Sequence, residues 1–273
     1  MTKLDNLQKL KRNITFKVNN ETEHINDNVP NIYVANHNSI LDIFYLPLSL
    51  NKDIVSLISA RLIYKKDIDR QQAVNNYLNA FPIEAHGGKE ISRLCLKYAK
   101  ELLKNDIDLG IFPEGAYIDT KIVHRGRTGV SQILYSYFQD TKKYANLIPV
   151  GINNISSNID LDNYYPAYED QVEVTILPAI DYKEDVNLFL DDTTQDKNKY
   201  LHNPVDKAMQ SIASALQREY HNEYIELYKK GNVIFENGET ISTNKVQENK
   251  EYIERYNKEL NTRYKKLIKT FKS

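Results

Sequence analysis

The 273-residue chain has almost no cysteine, almost no net charge and no long apolar run. A single thiol, Cys95, excludes an internal disulfide framework and any metal cluster needing several thiolates, and points to a reducing, cytoplasmic compartment. It falls on the apolar side of a helical pattern, which reads as buried packing rather than reactivity. A formal charge of −1, from 36 basic and 37 acidic side chains, gives no global attraction to nucleic acid. No stretch approaches the ~20 apolar residues of a membrane-spanning helix. The longest, LDIFYLPLSL at 41–50, reads as a core helix interrupted near Pro47. The opening MTKLDNLQKLKRN lacks the continuous apolar centre of a secretory signal. Internal repeats and low-complexity tracts are also missing. What is present, 41% hydrophobic residues over this length, is enough for a sizeable core in a soluble or peripheral protein.

From residue 31 to 180, short apolar runs alternate with helical patterns. NIYVAN, DIVSLISA, AFPIEA, DLGIF, NLIPVGI and QVEVTILPAI are predicted strands, with ITFKV a seventh, weaker one. Helices are predicted near 40–50, 70–79, 89–105 and 127–139; in the third, Ile91, Leu94, Cys95, Tyr98, Leu102 and Leu103 form one apolar stripe. The alternation predicts an α/β core with a largely parallel or mixed sheet of about six to seven strands, covered by helices. Sites in such sheets form at the carboxyl ends of the strands. Residues 1–30 read as an N-terminal segment, 31–180 as the core and 181–273 as a helical extension packed on or beside it. In that extension the pattern predicts a long helix opening at Asn203-Pro204 and closing at Gly231, then a hairpin at the Asn-Gly pair of VIFENGETI. A charged helix ends the chain.

The stretch VANHNSILDIF, at 34–44, poses the first chemical question. Five residues separate His37 from Asp42, and on one regular helix that spacing turns the two about 140° apart. They can meet only if His37 lies in a turn after a strand and Asp42 in the first turn of the next helix. Ser39 and Asp42 also match a Ser-x-x-Asp capping box, in which the aspartate is simply a helix-start residue. A second stretch, DLGIFPEGAY, puts Pro113, Glu114 and Gly115 at another strand end, since proline cannot donate to a ladder. A third loop of this kind is expected after LIPVG, with Pro149 and Gly151.

Taken together, Asn36-His37 with Asp42, Phe112-Pro113-Glu114-Gly115 and Ile148-Pro149-Val150-Gly151 resemble the 1-acylglycerol-3-phosphate acyltransferases, also called lysophospholipid acyltransferases. The resemblance covers roughly residues 30–180. It implies transfer of a fatty acyl group from a thioester, on coenzyme A or acyl carrier protein, to a hydroxyl of a lysophospholipid or related lipid acceptor, with no bound cofactor. His37 would be the general base and Asp42 its orienter; Asn36, Phe112, Pro113, Glu114, Gly115 and Pro149 would shape the substrate site. An imidazole titrates near neutral pH and can take the hydroxyl proton as it attacks. A hydrolase or transacylase with the same pair is the alternative, although no G-x-S-x-G elbow is present; so is a non-catalytic lipid- or acyl-carrier-binding protein.

The chain departs from the family pattern at Ala85, where an arginine that holds the acceptor's phosphate is expected, and at Ala116-Tyr117, where Thr-Arg is usual. Lysophosphatidate as acceptor is therefore in doubt. Arg125, with Arg127 beside it, is one substitute cation. Another is Lys89 in the turn HGGK at 86–89, whose glycines and helix start make an anion seat. The last helix carries Ile253, Tyr256, Leu260, Tyr264, Leu267 and Phe271 on one face amid seven lysines and arginines from 255 onward. Such a basic amphipathic segment, 250–273, reads as a peripheral contact with the inner face of the cell membrane, or as a helix packed on the core.

Overall fold

The computed structural model describes residues 2–10, 14–22, 28–39, 41–64, 68–84, 87–116, 122–154, 170–225 and 231–272. In chain order the elements are α1 (Lys3–Leu10), β1 (Ile14–Asn20), β2 (Asn31–Ala35), α2 (Asp42–Leu50), β3 (Val55–Ser59), α3 (Ala60–Tyr64), α4 (Ile68–Tyr77), β4 (Asn79–Ile83), α5 (Gly88–Leu103), β5 (Leu109–Ile111), β6 (Ile122–His124), α6 (Gly129–Thr141), β7 (Asn146–Asn154) and β8 (Asp170–Ile176). There follow α7 (Lys183–Leu190), α8 (Lys197–Ala215), β9 (Glu219–His221), β10 (Asn232–Ile234), β11 (Thr240–Ser242), α9 (Thr243–Glu248) and α10 (Lys250–Lys272).

All seven predicted strands join one sheet, in the order β1-β8-β7-β2-β5-β3-β4. The five from β7 to β4 are parallel; β8 runs antiparallel to β7, and β1 pairs parallel with β8. The weak candidate ITFKV is thus an edge strand, and residues from the first 30 enter the core sheet. Successive side chains of a strand point to opposite faces. In β2, Ile32 and Val34 join the apolar layer with α5, α6, α8 and α10, while Tyr33 and Ala35 join the layer with α2. Both faces are covered, as near-continuous apolar strands require.

Three expectations need correction. Pro149 and Gly151 lie inside β7, not in a loop after it. The carbonyl of Pro149 accepts from the Leu177 N–H (2.9 Å), so its missing donor also faces the β8 side, where that ladder has just ended. Pro47 sits within α2 without breaking it. Pro204 is likewise inside its helix, not at the start: α8 begins at Lys197, capped by Asp196, whose side chain accepts from the Lys199 N–H, and it stops at Ala215, far short of Gly231. The Asn-Gly hairpin forms between β10 and β11 as predicted.

The apolar stripe of α10 lies against the protein itself. Tyr256 and Leu260 are at most 1% exposed, Leu267 is buried beside them, and all three belong to the α5 layer. Arg263 Nε donates to the Ala80 carbonyl (2.6 Å), and Tyr98 Oη to Asn257 Oδ1 (2.9 Å). Of the two readings of 250–273, packing on the core is the one seen for this face, with Ile253, Tyr264 and Phe271 only partly buried at its margin. Among the described residues no helix is long and apolar enough to cross a membrane.

Candidate active site

The parallel strands β2 and β5 end side by side, and their carboxyl ends carry the two stretches singled out in the sequence. β2 is extended by a side chain acting as one more rung. Asn36 Oδ1 accepts from the Ile152 N–H (2.8 Å) and Asn36 Nδ2 donates to the Ile152 carbonyl (2.9 Å), which fixes where the chain leaves the sheet. The buried Asn36 thus ties β2 to β7. His37 follows at once.

The next turn opens at Ser39, whose carbonyl accepts from the Asp42 N–H (3.1 Å). Asp42 Oδ2 accepts from the Asn38 and Ser39 amides (2.7 Å each), and Ser39 Oγ accepts from the Leu41 amide (3.2 Å). Asp42 thus supplies the carboxylate half of a capping box, while the Ser39 hydroxyl holds the Leu41 amide and not that of Asp42. The same Oδ2 stands 3.2 Å from His37 Nδ1. One buried carboxylate therefore both starts the helix and touches the imidazole, which Phe112 backs at 4.5 Å between ring centroids.

Glu114 is 2% exposed, and both its oxygens hold backbone: Oε2 accepts from the His37 amide (2.6 Å), Oε1 from the His124 amide (2.8 Å). Burial raises its pKa to about 7, against the pull of those two amides; Asp42 adds to the rise and Arg218 opposes it. These two bonds make Glu114 a brace between the His37 loop and the His124 strand. Gly115 closes that turn by donating to the Phe112 carbonyl (3.1 Å). The Pro113 carbonyl accepts from the Arg127 amide (2.8 Å), and at Gly126 a β-carbon would collide with Pro113 and Val205, so only glycine lets the two loops meet.

The substitute cations separate. Arg125 is bound bidentately by Asp206 (3.0 and 2.6 Å), so its charge is already answered. Arg127 and Lys89 instead border a cavity of about 460 Å³ beside Phe112 and Pro113, with Leu57, Ile83, Leu96 and Val130 among its walls. Lys89 is exposed at that wall. Glu84, 7% exposed, also lines the cavity; burial lifts its pKa to about 7, and it accepts from the Ile234 amide (3.1 Å). Ala85, His86 and Tyr117 lie outside the described residues.

Sequence reasoning missed Arg218. α8 ends in a Schellman motif: Gln217 takes the left-handed conformation (φ 52°), its N–H bonds the Ser214 carbonyl (3.0 Å), and the Arg218 N–H bonds the Ala213 carbonyl (2.8 Å). The turn sends Arg218 to the catalytic-end loops, where Nη1 donates to Asn38 Oδ1 (2.6 Å) and Nη2 to Asn153 Oδ1 (2.8 Å). Glycine is the usual signal for this motif, and glutamine hid it.

The profile of the family described as Acyltransferase matches residues 16–153, just over half of the chain. The protein belongs to the acyltransferase family. Comparison with curated proteins gives no significant match. Among solved structures, the chain is similar to the 1-acyl-sn-glycerophosphate (LPA) acyltransferase PlsC from Thermotoga maritima, at 19% identity and a TM-score of 0.46, over 77% of this chain and 79% of that one.

Proposed function

We propose that the protein moves a fatty acyl group from an acyl thioester, on coenzyme A or acyl carrier protein, to a hydroxyl of a lysophospholipid or related lipid. The observation that carries this reading is the contact of 3.2 Å between His37 Nδ1 and Asp42 Oδ2 at the end of β2. With Nδ1 protonated toward Asp42, His37 Nε2 is the atom that takes the acceptor's hydroxyl proton. The acceptor oxygen then bonds to the thioester carbonyl carbon, and the tetrahedral oxyanion collapses with cleavage of the carbon–sulfur bond. The departing thiolate takes the proton back from His37, so no covalent enzyme intermediate is needed. A positioned base of this kind contributes about 10²–10⁴ in rate. The cavity beside Phe112, with Leu57, Ile83, Leu96 and Val130 in its walls, suits the acyl chain. Contact with a membrane, if the acceptor is drawn from one, is peripheral in this reading.

The test follows free thiol from a long-chain acyl thioester with and without a lysolipid pool. Acceptor-dependent release that His37→Ala abolishes is the expected result. Release without acceptor makes the protein a hydrolase, and no release over a broad panel leaves it a binding protein.

A further inference from the structure

The stretch that leaves β2 with His37 is not a regular element, so side-chain hydrogen bonds have to fix its place. Asn36 clamps it to Ile152 of β7, and Asn36 Nδ2 also donates to Asn38 Oδ1 (2.6 Å). Asp42 holds the Asn38 and Ser39 amides (2.7 Å each). A further hold comes from the other end of the chain. Arg218 Nη1 donates to the same Asn38 Oδ1 (2.6 Å), and Arg218 Nη2 donates to Asn153 Oδ1 (2.8 Å), next in β7 to the residue that Asn36 clamps. Asn36, Asn38, Arg218, Asn153 and Ile152 thus close a ring of hydrogen bonds beside His37.

A guanidinium is a planar fork whose donors point in fixed directions, so one side chain can hold oxygens on two separate elements. The base of this fork is itself fixed. Left-handed Gln217 ends α8, and Leu216 packs so closely on Gly151 of β7 that a β-carbon there would stand 3.1 Å from it. The side chain of Arg218 is half-buried, and its charge acts through space on Asp42 and Glu114, the two buried carboxylates of the site. Arg218 lies beyond residues 16–153, which the acyltransferase profile matches, so the C-terminal extension supplies it. Any shift of Asn38 passes to Asp42 Oδ2, which accepts from its amide and stands 3.2 Å from His37 Nδ1. Catalytic groups misplaced by about 1 Å can lose about 10²-fold in rate.

We propose that Arg218 is a positioning residue for acyl transfer: its fork ties the Asn38 side chain to Asn153 and so holds the His37–Asp42 pair in its working geometry. The effect on rate rests on the acyl-transfer reading; the brace itself does not. Full-length wild type, Arg218→Ala, Arg218→Lys and Asn153→Ala are compared in thiol release and, without substrate, in hydrogen exchange over residues 37–42. Arg218→Ala should lower kcat by about 10–100-fold and leave the KM of thioester and acceptor within about 2-fold. Asn153→Ala removes the partner of the other prong and should act alike, and the double variant should be no worse than the lower single one. Arg218→Lys keeps the charge without the fork and should recover at most part of kcat. The Asn38 and Ser39 amides should exchange about 10-fold faster in Arg218→Ala, with the thermal midpoint moved by no more than about 2 °C. If that variant melts much earlier, Asn153→Ala carries the comparison. A KM rise confined to one substrate overturns the proposal, because it marks a contact with that ligand. So do full recovery by Arg218→Lys, an unaltered kcat, or a lower kcat with unchanged exchange. Faster exchange in a protein that releases no thiol overturns the acyl-transfer reading and keeps the brace.

Discussion

Two segments of this chain each carry two structural meanings in sequence, and they resolve in opposite ways. At 37–42, Asp42 reads as a helix cap or as the partner of His37; at 250–272, the apolar stripe reads as core or as a lipid-facing surface. In the first case both readings hold together, because one carboxylate oxygen accepts two backbone amides and still meets the imidazole. In the second the core reading takes most of the face, since Tyr256, Leu260 and Leu267 are buried on the protein itself and only Ile253, Tyr264 and Phe271 keep part of their surface outside. Hydrogen bonding to an ionised carboxylate is divisible among several donors. Apolar burial at a given site is not.

The largest expected effect breaks the first segment's two roles apart. His37→Ala should lower acyl transfer by about 10²–10⁴ and shift the thermal midpoint by no more than about 2 °C, because the ring is a loop side chain resting on Phe112. Asp42→Asn should lower activity comparably and also cost about 1 kcal/mol of stability, since an amide cannot accept from all three donors at Oδ2. Paired kinetic and melting curves check this. Unchanged stability in Asp42→Asn would remove the cap from the account, and unchanged activity would remove the dyad.

The second segment is sharpened by Leu260→Ala. A side chain 1% exposed in the α5 layer should cost about 2–5 kcal/mol by urea unfolding, with no lipid present. A cost under about 0.5 kcal/mol would mean that α10 is held elsewhere in solution.

How much was legible follows the same division. Periodicity gave all seven strands and the four helices around them, because a sheet covered on both faces demands continuous apolar runs. Glu114 was legible because Pro113 and Gly115 punctuate the end of β5, and His37 with Asp42 because polar residues interrupt two apolar runs there and the stretches together resemble the family. The bracing bonds of Glu114 were not, since they go to the backbone of residues 77 and 10 positions away in sequence. The start of α8 was misread because Pro204 imitates a first-turn proline. Arg218 was invisible for a related reason, a left-handed helix end without its glycine. Gly88 shows the converse: its φ of 76° and the nearness of Gln247 of α9 make it a packing requirement. A Gly88→Ala test of anion binding would therefore strain the fold, and Lys89→Ala alone is the usable variant.

A smaller effect concerns the seam between core and extension, where buried Glu84 holds the Ile234 amide of β10. Its folded pKa is raised to about 7 by burial, above the ordinary 4.5, so the native state binds that proton more tightly than the unfolded chain. The stability this group contributes is full below about pH 4.5 and is lost as pH rises to about 7. Glu84→Gln keeps an oxygen for Ile234 and removes the ionisation. Its stability relative to wild type should thus rise between pH 4.5 and 7, by on the order of 2 kcal/mol, then level off. Melting curves across that range decide it; a relative loss above pH 7 would mean the carboxylate has a partner worth more than its burial costs.

The smallest effect lies on the outer side of α10, where Lys258, Lys265, Lys266 and Lys269 are exposed. With most of the apolar face buried, attraction of this helix to an anionic bilayer comes mainly from these charges, at about 1 kcal/mol per lysine near the surface and less as salt screens it. Full-length protein should therefore co-sediment weakly with anionic vesicles at low salt and not at high salt, and should ignore neutral vesicles. Replacing Lys265, Lys266 and Lys269 by Gln should lower the low-salt binding while changing stability by less than ~0.5 kcal/mol per site, because surface substitutions away from the core do little. Binding that survives high salt would require apolar insertion, and α10 would then have to leave α5. The Leu260→Ala protein distinguishes that case: a helix that must undock to insert should bind vesicles more strongly when its docking is weakened, whereas a helix that stays docked should not.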